Sequence, residues 1–297
     1  MTSRQLWLVA AGVIAIVVML GAVIRNQVRV LRDRQARADL MERRHQEARP
    51  TVAMRRQELF DMLQPVALAN CQLERFGEAY DGGYLMCANL LGGVQAGYSY
   101  GINGYDKWGC DISTRLKVAV HQYDCFNTTQ PACPSGKTVF HAECVGETGG
   151  MVDGRRFDTL SGQLARNGNG SHRIALKIDV EGAEWRSLLF APDEVLARID
   201  QLAVEFHFAN DEKGRWLHDE THLAVVRRLK QFFEIAHLHF NNFGCTDDLA
   251  PFPTWAYEVL FVSKRLAVVD PAREIARPHP HDAPNDPSLE DCQPTSR

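Results

Sequence analysis

Residues Ile174 to Leu189 read IALKIDVEGAEWRSLL. Ile174 to Ile178 is a short run, apolar except for Lys177, and has the pattern of a strand buried on both faces. The run ends on Asp179, Glu181 and Glu184, with Gly182 among them. An amphipathic stretch, Trp185 to Leu189, follows at once. An open α/β sheet presents polar groups at its carboxyl edge in this way, and its ligands bind there. Asp179, at the strand's end, is expected to face a cleft, and Glu181 beside it. Glu184 suits the positive end of the next helix. Helix capping is the plainer reading of the whole acidic cluster.

Outward from this stretch, strands alternate with helices. Upstream, Ala96 to Ile102 reads as a first strand, Asp106 to Leu116 as a helix and Lys117 to Tyr123 as a second strand. Thr138 to Val145 is a third strand, and Asp158 to Arg166 a helix. Downstream come a strand at Gln201 to Phe208, a helix at His218 to Phe233, and strands at Phe233 to Phe240 and Tyr257 to Ser263. Such alternation implies an α/β fold built on a mainly parallel sheet. The last two strands have no helix between them and suit antiparallel pairing. Cys125 to Lys137 holds Pro131, Pro134 and Gly136, so this crossover is predicted to be a loop. Cys125 and Cys133 are candidates to tie it.

The chain has 297 residues, 45% hydrophobic and 24% charged, which is globular composition. Its net charge of −4 gives no electrostatic case for a nucleic-acid partner. Leu6 to Ile24 carries no charge. As a helix rising about 1.5 Å per residue it covers roughly 28 Å, close to a bilayer core. Gly21-Ala22-Val23 is a poor cleavage site, so residues 1–24 are expected to remain as a transmembrane signal-anchor. Residues 25–64, rich in Arg, Gln, Ala and Glu, read as a polar helical stem. Residues 65–265 form the folded domain. Residues 266–297, rich in proline and poor in apolar groups, are expected to be disordered.

Orientation is contested within the sequence. Arg25, Arg29, Arg32, Arg34 and Arg37 follow the apolar run, which favours a cytosolic domain. Eight cysteines, and sequons at Asn127 and Asn169, favour a lumenal one. A lumenal domain in the Golgi or endoplasmic reticulum is the expectation, with the cytosolic orientation left open.

The first strand runs into Gly101-Ile102-Asn103-Gly104, and Asp124 ends the second. Glycines there let the backbone turn tightly and approach a cofactor, and an acid at that place grips ribose hydroxyls. The turn lacks the three glycines that cradle a pyrophosphate, so S-adenosylmethionine fits better than a dinucleotide. On the fifth strand, alternation puts Glu205 and His207 on one face. His207 is a candidate general base with a pKa near neutrality. His237, His239 and Cys245 lack zinc-site spacing, and no metal is expected.

Four blocks carry a resemblance: RFGEAYDGGYLMC (Arg75 to Cys87), YSYGINGYDKWGCD (Tyr98 to Asp111), LKIDVEGAEW (Leu176 to Trp185) and HLHFNNFGC (His237 to Cys245). Together they resemble the methyltransferase-like protein 24 family, whose domain is of the FkbM type. The resemblance implies a Rossmann-like, S-adenosylmethionine-dependent methyltransferase sheet, often behind a membrane anchor. It puts Gly101, Asn103 and Gly104 in the cofactor loop, Asp124 at the ribose, and Asp179 between cofactor and substrate. Asp81-Gly82-Gly83-Tyr84 and Asn241-Asn242 match blocks without an assigned role. Asp81, Asn241 and Asn242 are expected, with Glu181, on the substrate side. The methyl acceptor is undefined; a sugar hydroxyl or other small molecule is preferred by analogy. Two alternatives remain. One is a non-catalytic Rossmann-like binding domain. The other is a Golgi glycosyltransferase, which would want an Asp-x-Asp motif where this chain offers only Asp247-Asp248.

Overall fold

The computed structural model describes residues 52–209 and 220–292, together with Gln27 and Leu31. The expected anchor, Leu6 to Ile24, lies outside the described residues, as does most of the stem. Among the described residues no helix is long and apolar enough to cross a membrane.

Helix α1 covers 52–62. A hairpin, β1 (Leu73–Gly77) with β2 (Gly83–Cys87), precedes the first strand of the main sheet, β3 (Ala96–Tyr100). Then come α2 (Lys107–Leu116), β4 (Ala119–Tyr123), β5 (Lys137–His141), β6 (Cys144–Val145), β7 (Gly150–Val152), β8 (Arg155–Asp158) and α3 (Leu160–Arg166). The second half holds β9 (Ile174–Ile178), α4 (Ala183–Leu189), α5 (Asp193–Leu196), β10 (Ile199–His207), α6 (Glu220–Phe232), β11 (Phe233–Phe240) and β12 (Ala256–Ser263).

Seven strands form the main sheet in the order β11-β12-β10-β9-β3-β4-β5. Of these, β12 runs antiparallel to both its neighbours, and the rest share one direction. The mainly parallel sheet and the antiparallel last strand are therefore present. From β3 the chain steps outward to β4 and β5, then returns to β9 on the other side of β3. The carboxyl ends of β3 and β9 are thus a topological switch point, where open α/β sheets bind ligands.

Period-two alternation sorts the strand side chains onto two apolar layers. Tyr98, Tyr100, Leu176, Ile178, Val204 and Phe206 face α1, α3, α4 and α6, meeting Leu59, Leu160, Leu188 and Val226. The other face is built of smaller groups: Ala175 and Ala203 lie beneath Trp108 and Ile112 of α2 and beneath Tyr84 and Met86 of the hairpin. At Gly97 an added Cβ would come within 2.8 Å of Val120 and 3.1 Å of Ile112. Small residues on this face let α2 pack close to the strands.

Four details depart from expectation. The stretch Thr138 to Val145 is not one strand: β5 ends at His141, and β6 leaves to form a small three-stranded sheet with β8 and β7. The proline-bearing crossover is a loop as expected, but Cys125 pairs with Cys144, and Cys133 with Cys110. Cys71–Cys87 and Cys245–Cys292 complete four disulfides, leaving no free cysteine. Residues 266–292 pack against the domain instead of lying loose. Val269 bridges to Leu68, and Asn285 is buried with its amide donating to Glu258 and Asp81. A disulfide and polar anchors hold this segment where apolar side chains are scarce. Finally, the Asn169 amide is 7% exposed and donates to the Tyr98 hydroxyl, so this sequon offers no free acceptor for a glycan.

Candidate active site

At the switch point, Tyr100 ends β3 and the chain turns through Gly101 (φ 71°), Asn103 (φ 45°) and Gly104 (φ 77°). A Cβ at Gly101 would overlap the carbonyl of Asp179, so glycine is required for the β3 and β9 termini to touch. At Gly104 a Cβ would instead crowd the Asn127 side chain, whose amide donates to the Asn103 carbonyl at 3.0 Å. The Asp124 carboxylate accepts three backbone N–H groups: Asn103 at 2.7 Å, Phe126 at 2.8 Å and Asn127 at 3.0 Å. It therefore ties the two loops together. An ionised carboxylate has about four acceptor positions, which leaves capacity toward a ligand.

These loops border a cleft of about 420 Å³. Asp81, Gly101, Asn103, Asp124, Asp179 and Glu181 all line it, so the fold gathers six of the expected residues in one place. Phe126, Glu143, Val145 and Phe157 line it too, and the sequence had not singled these out. Phe126 is 76% exposed at the mouth, with the Arg155 guanidinium 4.2 Å above its ring. The small sheet β6–β8–β7 supplies this wall, which is why reading the third strand as continuous missed it.

Asp179 is held on one side only. Its Oδ2 accepts from Lys177 Nζ at 3.1 Å and from the Tyr84 hydroxyl at 3.2 Å. Lys177 also donates to the carbonyls of Tyr100 at 3.2 Å and Gly101 at 2.9 Å, so one buried ammonium ties turn and acid together. Burial opposes its charge, but Asp179, Asp106 and Glu205 outweigh that and raise its pKa. The Tyr84 hydroxyl reaches Glu205 Oε2 as well, at 3.1 Å, with one proton to serve two carboxylates. Burial, then Asp179 and Glu258, push the Glu205 carboxyl well above the usual range. Asn241 donates to Glu205 Oε1 at 2.7 Å, so Asn241 does belong beside the site. Asn242 does not: its amide turns to the carbonyls of Asp286 and Leu289 and anchors residues 266–292.

Glu184 is more than a helix-end charge. It is fully buried, its Oε1 accepts the backbone N–H of His207 at 2.8 Å, and its Oε2 that of Gly182 at 2.8 Å. The same Oε1 lies 3.3 Å from His207 Nδ1. Burial works against a charged His207, but the hydrogen bond and charge of Glu184, with Glu205 and Asp179, push it up to about 9. At neutral pH His207 is an imidazolium, not the near-neutral general base expected.

A raised histidine pKa contributes stability that is complete below its unfolded value of 6.5 and is lost as pH rises through about 9. Stability is expected to drop by about 3 kcal/mol across this window. Urea unfolding between pH 6 and 10 checks it: His207→Gln should flatten the curve, and an identical slope in both proteins would disprove the assignment.

No protein-family model, curated protein or solved structure matches this chain.

Proposed function

We propose that the domain is an S-adenosylmethionine-dependent methyltransferase of the methyltransferase-like protein 24 kind, anchored in a membrane and facing a lumen. The observation that carries this reading is the cleft at the β3–β9 switch point. There a glycine turn, a second-strand acid (Asp124) and a fourth-strand acid (Asp179) share one cavity. The sheet order supports it: a doubly wound core with the antiparallel β12 between β10 and β11 is the layout expected for such an enzyme. A volume of about 420 Å³ suits a nucleoside-sized ligand, within the roughly 300–1,000 Å³ usual for small-molecule pockets. Four closed disulfides support an oxidising compartment.

In this reading the Gly101–Gly104 turn and Asp124 hold the cofactor, which supplies an electrophilic methyl group. The acceptor, by preference a sugar hydroxyl, enters beside Asp179, and positioning contributes much of the rate. The hydroxyl proton passes to a carboxylate at this lip, Asp179 Oδ1 or Glu181 Oε2, since His207 already carries its own proton. The test is a calorimetric titration of folded protein with S-adenosylmethionine. Saturable binding is expected, weakened about 10- to 100-fold in Asp124→Ala by loss of a charged hydrogen-bond acceptor. Absence of binding would leave the cleft without its proposed ligand.

A further inference from the structure

Opposite the glycine turn, four side chains converge on one point. His207 Nε2 lies 3.8 Å from Asp179 Oδ1, 3.7 Å from Glu205 Oε1 and 3.7 Å from Glu181 Oε2. The three gaps are nearly equal, and each is too long for a charge-assisted hydrogen bond of about 2.7–2.9 Å. Nε2 is thus within ion-pair distance of all three carboxylates but close to none of them, and the side chain is only 5% exposed. Its other nitrogen is tethered to Glu184, 3.3 Å away. A carboxylate that fixes one ring nitrogen and aims the other inward is the arrangement found behind metal-binding histidines.

We infer that Asp179, Glu205 and His207 form a divalent-cation site at the substrate end of the cleft, the ion displacing the proton from His207 Nε2 and taking the imidazolium's place among the carboxylates. One ligand atom from each lies within 4.8 Å of the other two. Two ligands about 2.2 Å from a shared ion sit about 3.1 Å apart at a right angle and about 3.8 Å apart at 120°. The two gaps from His207 Nε2, 3.8 Å to Asp179 and 3.7 Å to Glu205, fall at the wide end of this range. Asp179 Oδ2 is committed to Lys177 and Glu205 Oε2 to Tyr84, while Glu205 Oε1 accepts from Asn241 and keeps a second acceptor position. Asp179 Oδ1 is thereby left facing the gap. Two carboxylates and one imidazole suit a hard to borderline ion, and Mn²⁺ is the natural probe. Three protein ligands leave open positions for oxygens of the acceptor.

That role toward the acceptor rests on the methyltransferase reading; the cation site itself does not. In the transfer the carbon–sulfur bond breaks and its electron pair returns to sulfur. The acceptor oxygen forms the new carbon–oxygen bond, and its proton goes to Glu181, whose side chain is 77% exposed at the lip.

The test titrates the folded protein, stripped with chelator, with Mn²⁺ by calorimetry. One ion per chain is expected, bound at least about 10-fold more weakly by Asp179→Asn. A second readout needs no variant: paramagnetic broadening in the wild-type protein should reach the ring signals of His207 before those of exposed His281. No saturable binding, unchanged binding in Asp179→Asn, or His207 signals untouched at saturation would each overturn the site. S-adenosylmethionine is titrated into the same preparation. Cofactor binding without Mn²⁺ binding removes the cation site alone. Mn²⁺ binding without cofactor binding upholds the site and removes the methyltransferase reading.

Discussion

Gly101→Val is expected to lose about 4 kcal/mol of stability and all measurable binding of S-adenosylmethionine. Two costs combine. The backbone at Gly101 has φ 71°, a conformation worth roughly 1–2 kcal/mol against any residue with a side chain. A Cβ there also overlaps the Asp179 carbonyl and approaches Val180 Cγ1 at 3.2 Å, so β3 and β9 must separate at the point where the cleft forms. Gly182→Ala provides the control. Gly182 has φ 101°, yet a Cβ there meets nothing within 4 Å. That variant should pay only the backbone cost, about 1 kcal/mol, and keep cofactor binding. Urea midpoints and titration of both proteins decide the matter. Equal losses in the two would mean that the close approach at Gly101 is unimportant.

Lys177→Met is expected to cost about 3–5 kcal/mol, the usual penalty for removing one partner of a buried ion pair. Lys177 is 5% exposed, and its ammonium binds two carbonyls of the β3 turn as well as Asp179. Methionine fills similar volume but removes the cation that offsets the buried Asp106, and leaves Asp179 only the more distant His207 at 3.8 Å. Denaturant unfolding at pH 7 reads the loss. A variant as stable as wild type would show that the Lys177–Asp179 contact carries no net weight.

The parts of this site that were legible in the sequence are local. Gly101, Asn103, Asp124 and Asp179 each sit at a strand end, and their placement depends on neighbours along the chain. Period-two patterns find strand ends, and the sheet's directionality brings those ends to one edge. Tyr84 and Lys177 were not legible for the opposite reason. Tyr84 lies 95 residues from Asp179 and 121 from Glu205, and it meets them only because the hairpin folds over the small-residue face of the sheet. Lys177 looked like a break in an apolar run, and only the turn beside it shows what its charge serves.

Composition misled at residues 266–292. Few apolar groups usually mean disorder, but Cys292 is bonded to Cys245, and Asn242 and Asn285 provide polar anchorage. The cysteine pairing was equally out of reach, because an even count restricts the number of bridges and not their connectivity. Glu184 was read as a helix-end charge from its position. Its burial against the His207 backbone could be seen only once β10 lay beside α4.

The proposed methyltransferase activity depends on S-adenosylmethionine binding in the β3–β9 cleft. A crystal structure of the protein grown with saturating S-adenosylmethionine tests it most directly. The cofactor is expected between the Gly101–Gly104 turn and Asp124, with its ribose at the Asp124 carboxylate and its methyl group directed toward Asp179. A cofactor seated elsewhere, or a cleft that stays empty at saturation, would contradict it.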